Sequence, residues 1–372
     1  MRKRVLSVRQ VLDLPLLVLI CAAATMLPAA EKIVGGPMVV NATPRSATIV
    51  WIVQSDEVTV RPLSTQLVAV RTSPSLRVET TTLTSLEPNT RYEYDVAHHD
   101  AGKGSFKTPP AGSEPYKFVV YGDTRTRPDV HRQVMDTLVK HGIPDFVLHT
   151  GDLVADGNDS SLWPIFFDIE KTLLRQTVFI PALGNHERNA HDFFEFFQAT
   201  SPYYSFNWGA SHFIVLNSDI GNAAPSGRQR DTFWAEQVRW LEEDLQKSQS
   251  ADYRFVSAHH PPFTAVASRQ GNNPHMTALV PMFEKYHVSA AFFGHDHNYQ
   301  SYVKNGIPYV ITGGGGAPLY DVDKPPADIK RVVVKTENFV TVSVNGKTAH
   351  IEAISIDGRK LDEIEIQASA QK

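Results

Sequence analysis

Five short apolar runs in this chain each break off into a cluster of Gly, Asp, Asn or His, and this repeated punctuation restricts the fold more than any other feature of the sequence. The run 116–121 meets Gly122 and Asp123, and 146–150 meets Gly151 and Asp152. The run 178–182 leads to Gly184-Asn185-His186-Glu187, 255–258 to His259-His260-Pro261, and 290–293 to Gly294-His295-Asp296-His297. Continuous apolar runs of this length are strands covered on both faces. Helical stretches at about 129–141, 162–174, 231–247 and 276–286 lie between them, and a further apolar run covers 213–216. Alternating strand and helix predicts α/β layering, with the loops at strand ends free to carry a site. Singly, an Asp beside a Gly is turn chemistry and a His is an ordinary surface or core residue. Five such clusters in order, each behind a buried strand, are hard to explain as turns and converge in one crevice.

The donor types in the clusters suit hard or borderline divalent ions. Carboxylate, imidazole and amide oxygen fit Mn, Fe, Zn or Mg, and the single cysteine, Cys21, lies far from them in the chain. On an extended loop after Gly294, His295 and His297 can reach two different ions, and Asp152 has the position of a carboxylate shared between them. Two ions about 3.5–4 Å apart clamp the attacking and leaving oxygens of a phosphoryl displacement.

With these residues on the page, the chain resembles the calcineurin-like metallophosphoesterase superfamily and, within it, the purple acid phosphatases. Gly122-Asp123-Thr124-Arg125, Gly151-Asp152-Leu153-Val154, Gly184-Asn185-His186-Glu187, Val256-Ser257-Ala258-His259 and Gly294-His295-Asp296-His297 stand where its blocks stand, and the glycine-rich 311–318 resembles the turn after the last block. The resemblance implies a two-sheet sandwich flanked by helices that binds two divalent metal ions (Fe, Mn or Zn). By position, Asp123, Asp152 and His297 would hold the first ion, and Asp152, Asn185, His259 and His295 the second. His186 would contact the scissile phosphate and help protonate the leaving oxygen, making His186 and Asp152 the catalytic pair. Two positions depart from the pattern. Arg125 replaces the first block's His, and Arg is not a ligand; the purple acid phosphatases use a tyrosinate three residues after the shared Asp, and that position is Ala155. The first ion thus lacks a ligand by either pattern. His131 on the following helix is a candidate to fill the gap beside the plainer reading of a helix-surface residue. Arg125, with its fork geometry, is a candidate for a phosphate oxygen, and His260 and His275 are candidates for substrate contact. His149 reads as core, His191 as a helix start, and Phe193, Phe194, Phe196 and Phe197 as a packing face.

The remainder bounds the organisation. At 42% hydrophobic and 20% charged, 372 residues suffice for two domains with cores. A net charge of -4 gives no overall attraction to nucleic acid or membrane. Met1 to Arg9 is basic, an apolar run at 14–24 follows, and Ala22, Ala24, Ala29 and Ala30 offer cleavage sites, so residues 1–30 are expected to be a signal peptide and the protein exported, with no membrane span in the mature chain. Residues 31–110 read as a small all-β sandwich. The β-branched run 47–53 surrounds Trp51, and 90–96 alternates with Tyr92, Tyr94 and Val96 on one face after the turn 86–90, an arrangement that resembles a fibronectin type III domain. A linker at 108–115 leads to the catalytic domain, 111–368, whose last hairpin at 339–353 is expected in its second sheet. The expected substrate is a small phosphate monoester. A phosphodiester on the same site is the alternative, and a non-catalytic binding protein the remote one.

Overall fold

The computed structural model describes residues 32–54, 76–96 and 100–369, with the backbone of strand pairs at 4–5, 59–60 and 70–71. Apart from the backbone at 4–5, the expected signal peptide and Cys21 lie outside the described residues. The N-terminal part contributes β1 (Lys32–Thr43), β2 (Ser46–Gln54), β3 (Leu76–Leu83), β4 (Arg91–Asp95) and β5 (Lys103–Lys107). Then follow β6 (Tyr116–Tyr121), α1 (Pro128–His141), β7 (Phe146–His149), α2 (Trp163–Leu174), β8 (Val178–Pro181) and α3 (His191–Phe196). The second half runs β9 (Tyr204–Trp208), β10 (Ser211–Val215), α4 (Gly227–Lys247), β11 (Tyr253–Ala258), α5 (Val280–Lys285), β12 (Ala290–Phe293), β13 (Tyr299–Lys304) and β14 (Ile307–Thr312). The chain closes with β15 (Lys330–Val334), β16 (Asn338–Asn345), β17 (Thr348–Ser355) and β18 (Lys360–Gln367).

Two sheets face each other. One has the order β18-β17-β16-β6-β7-β8-β1-β2-β3, the other β9-β10-β11-β12-β14-β13-β15. Alternation along β6 shows how the layers arise. Phe118 and Val120 point between the sheets with Phe146, Leu148, Phe213, Phe255 and Phe292, and the Phe118 and Phe146 rings stack at 4.9 Å. Val119 and Tyr121 point outward to Val134, Leu138 and Phe166 of α1 and α2. On the far side, Val256, Ala291 and Phe293 pack under Leu241, Leu245 and Phe283 of α4 and α5. Helices cover both outer faces, so the central strands are apolar throughout rather than alternating. This is the mixed α/β arrangement that the sequence implies, two sheets flanked by helices, with a strand-rich region preceding it.

Two details differ from expectation. The hairpin β16–β17 joins the first sheet, not the second, since Val340 pairs with Val120 antiparallel to β6. Alternation identifies a strand but carries nothing about which edge it joins. The strands over 32–83 also join the first sheet: β1 pairs parallel to β8, Val39 opposite Val178, and β2 and β3 continue it, while β4 and β5 pair with each other in a separate sheet. The turn chemistry near Tyr92 is as read, with the Glu87 N–H donating to the Tyr92 hydroxyl at 2.8 Å, and Tyr92, Tyr94 and Val96 buried. Trp51, expected buried, is half-buried at the margin of the core.

Candidate metal centre and active site

β6, β7 and β8 run parallel, as do β10, β11, β12 and β14, so their carboxyl ends form one edge of the sandwich. The five polar clusters sit there. Backbone conformation at this edge is costly: Asp123, Asp152 and His295 have φ of 59°, 58° and 69°, a left-handed region that non-glycine residues seldom occupy. Space is tight as well. A Cβ at Gly184 would stand 2.2 Å from Asp152 Oδ1, and one at Gly294 would stand 2.6 Å from Asp123 Oδ2.

Asn185, His259, His295 and Asp152 come together as the resemblance implies. His259 Nε2 and His295 Nδ1 each lie 3.1 Å from Asn185 Oδ1 and 3.3 Å from one another, and His259 Nε2 is 3.4 Å from Asp152 Oδ1. The Nδ1–H of His259 donates to the Thr150 carbonyl at 2.9 Å, which leaves the lone pair on Nε2 facing the cluster. Such an orienting bond on the far nitrogen is how imidazole ligands are held. Burial works against charge on His259, but Asp152 and Asp123 outweigh it and raise its pKa, so the pocket favours a positive charge at this point. Burial and the neighbouring His260 and His259 hold His295 well below its ordinary value, as a neutral ligand requires. These residues fit a divalent ion.

The other three-residue set is less complete. Asp123 is buried, and although burial would raise its carboxyl, His297, His259 and Arg125 hold it down at about 2. Its Oδ1 lies 3.3 Å from His297 Nε2 and, among the described residues, accepts no hydrogen bond. His297 donates from Nδ1 to the Pro318 carbonyl at 2.6 Å, and its ring stacks at 4.3 Å on Tyr320, with the Arg269 guanidinium 4.2 Å beyond. Arg125, a candidate for a substrate oxygen, is turned into the site. Its Nε donates to Asp152 Oδ2 at 3.1 Å, and a terminal nitrogen donates to His297 Nε2 at 3.4 Å. His131 is neither ligand nor surface residue. It is buried with Nε2 at 2.7 Å from Glu170, whose other oxygen accepts from the Tyr121 hydroxyl at 2.8 Å.

His186 stands over the cluster. Its Nδ1–H donates to the Ala155 carbonyl at 2.6 Å, and its Nε2 lies 3.9 Å from Asp152 Oδ2 with the side chain partly open to solvent. The position that carries tyrosine in the purple acid phosphatases thus orients His186 through its backbone. His260 lies beside the ligands, its ring 4.2 Å from that of His295 and its Nδ1 at 3.0 Å from the Ser218 hydroxyl. His275 stands further out, edge-on to Trp234 at 5.0 Å, its Nε2–H donating to the Ser218 carbonyl at 3.1 Å. His149 is buried as read, and burial followed by the charge of His131 pushes it down to about 3.

Sequence reasoning gave no role to Glu187, which organises the loops. Its carboxylate accepts from the N–H of Gly184 (2.7 Å), Asp152 (2.8 Å), Leu153 (2.7 Å) and Val154 (3.4 Å). Burial, with Asp152 beside it, pushes its pKa up to about 8, while these donors work the other way. Asp296 was passed over too. It points away from its two His neighbours to Thr264, to Arg269 at 3.0 Å and to Gln300 at 3.1 Å, anchoring the loop that carries them. The signal for both was their place inside the motif blocks.

Residues 116–299 match the family described as calcineurin-like phosphoesterase. An uncharacterized protein of Mycobacterium tuberculosis is 26% identical over 275 residues, which is 62% of this chain and 51% of that one, so the chain spans about half of that relative's length. Acid phosphatase type 7 of Mus musculus is 24% identical over 343 residues, covering 78% of this chain and 76% of its own. Among solved structures, the purple acid phosphatase PPD1 from yellow lupin seeds superposes with a TM-score of 0.69 at 18% identity, over 92% of this chain and 75% of that chain.

Proposed function

We propose that this chain, which carries a calcineurin-like metallophosphoesterase domain with acid phosphatase homologues, hydrolyses phosphate monoesters with a divalent ion held by Asp152, Asn185, His259 and His295. One observation carries the reading: Asn185 Oδ1, His259 Nε2 and His295 Nδ1 converge within 3.1–3.3 Å, with the His259 lone pair directed inward. Acceptors gathered so closely in a partly buried place suit a cation. When bound, the ion supplies hydroxide near neutral pH and charge for the phosphoryl oxygens. By resemblance, a second ion would fall to Asp123, Asp152 and His297. The residues' own work is positional. Glu187 holds the Asp152 loop, Thr150 orients His259, and Ala155 fixes His186 so that its Nε2 faces the cluster and can pass a proton to a leaving oxygen. The basic and then apolar start supports export of the chain. Among the described residues, no helix is long and apolar enough to cross a membrane.

The test measures nitrophenyl phosphate beside bis-nitrophenyl phosphate, before and after chelation, in the parent and in Asp152→Ala. Faster turnover of the monoester, loss on chelation and recovery with added metal are expected, with Asp152→Ala reduced in both rate and metal content. A preference for the bis-ester would make the chain a diesterase. Unchanged metal content in Asp152→Ala would remove the site assignment.

A further inference from the structure

We infer that the guanidinium of Arg125 takes the place of one of the superfamily's two metal ions, so that this chain holds a single ion, on Asp152, Asn185, His259 and His295, with a fixed positive charge beside it. The inference rests on the metal reading above and concerns how many ions the site takes. Arg125 occupies the position of the first block's ligand, but its side chain does not lead to solvent. It is only 14% exposed and ends on two of the three groups left to hold the first ion. Its Nε donates to Asp152 Oδ2 at 3.1 Å, and a terminal nitrogen donates to His297 Nε2 at 3.4 Å. Because His297 Nδ1 already donates to the Pro318 carbonyl, Nε2 carries that ring's lone pair, and the guanidinium receives what a metal would otherwise receive. The remaining terminal nitrogen donates to Thr126 Oγ1 at 3.0 Å, so all three nitrogens are fixed.

Among the described residues, the other groupings of ligand atoms around the site, Asp123-Asp152-His259 and His259-His260-His295, both draw on His259 and so overlap the set already described. His131 is committed to Glu170 in the core, and the Ala155 carbonyl is committed to His186. Of the three side chains that would hold the first ion, Asp123 alone takes no hydrogen bond from the guanidinium, and one carboxylate does not retain a divalent ion. A guanidinium does not lose its proton in a protein. A divalent ion on Asp152 and His297 would therefore sit against a permanent cation in a place shielded from water, where like charges repel strongly. The Asn185, His259 and His295 cluster is free of this conflict, since Arg125 bonds Asp152 through Oδ2 while Oδ1 faces His259.

The experiment counts metal ions per chain, by elemental analysis of the full-length protein after equilibration with excess Zn or Mn and removal of unbound metal. One ion per chain is expected in the parent, and Arg125→His, which restores the superfamily's ligand and removes the fixed charge, is expected to raise the count to two. Two ions in the parent would overturn the inference and leave the proposed function standing. No ion in the parent would overturn both. A count that stays at one in an Arg125→His protein with the parent's circular dichroism would overturn the role given to Arg125, since the missing ion would then have another cause.

Discussion

Four backbone N–H groups from two metal loops end on the carboxylate of Glu187, a residue that ligates nothing in the site as proposed. Glu187→Gln keeps the shape but turns an acceptor into a donor that faces donors. A buried donor left unmet costs about 1–3 kcal/mol, so the variant is expected to melt lower and bind metal more weakly; a melting temperature equal to the parent's would show that the loops hold without it. His186 tests catalysis rather than architecture. Removing it leaves the ligand set intact, so His186→Ala is expected to keep its metal while losing about 10²–10⁴-fold in kcat on alkyl phosphates, the range of a general acid. The loss is expected to be smaller on nitrophenyl phosphate, whose leaving group needs no proton. Equal losses on the two esters would reduce His186 to a positioning residue. At this scale the meeting of Asp152, Asn185, His259 and His295 was expected from the resemblance of their motif blocks. The direction of the Arg125 side chain was not, because a guanidinium on a flexible stem goes wherever the surrounding carboxylates and lone pairs draw it.

Elements were legible where burial on both faces leaves an apolar run and illegible where pairing decides. The strands at 116–121 and 290–293 are where the sequence places them, whereas the hairpin β16–β17 changed sheets. One side chain ties the two sheets at their edge. Asp362 on β18 accepts from the hydroxyls of Tyr299 (3.0 Å) and Ser301 (2.6 Å) on β13 and from Arg331 (2.9 Å) on β15. Burial would raise the Asp362 carboxyl, but the bonds from Ser301 and Arg331 outweigh it and hold its pKa below the ordinary value. Asp362→Ala strands two hydroxyls, leaves Arg331 only its bond to the Glu363 carbonyl, and is expected to cost on the order of 2–3 kcal/mol, read as a lower melting temperature at neutral pH. The folded-state pKa is depressed, so this contribution is present above the unfolded value of about 3.9 and is lost as pH falls through the folded one. The gap in melting temperature between parent and variant should therefore close as the pH drops below about 4; a gap independent of pH would mean that packing, not ionisation, is responsible.

For the whole molecule, the relation of residues 32–83 to the rest has the largest consequence. Met38 and Val40 of β1 are buried in the cluster that includes Phe167 of α2, and a Cβ at Gly35 would stand 2.6 Å from the Phe167 ring. A chain starting at residue 111 would bare that face and the hydrogen-bonding edge of β8, which invites aggregation. It is expected to be insoluble or to melt well below the parent. A soluble 111–372 with the parent's melting temperature would show that the N-terminal strands stand apart as a separate sandwich. By itself, the sequence determined the layering and the ligand chemistry, because apolar period and donor type are local properties that survive in any packing. Only the tertiary structure decided which edge the N-terminal strands and the last hairpin join, that His131 belongs to Glu170, and that Arg125 faces Asp152 and His297. Each of these is a pairing between groups far apart in the chain, fixed by the shape and charge of a core that exists only once the two sheets have closed.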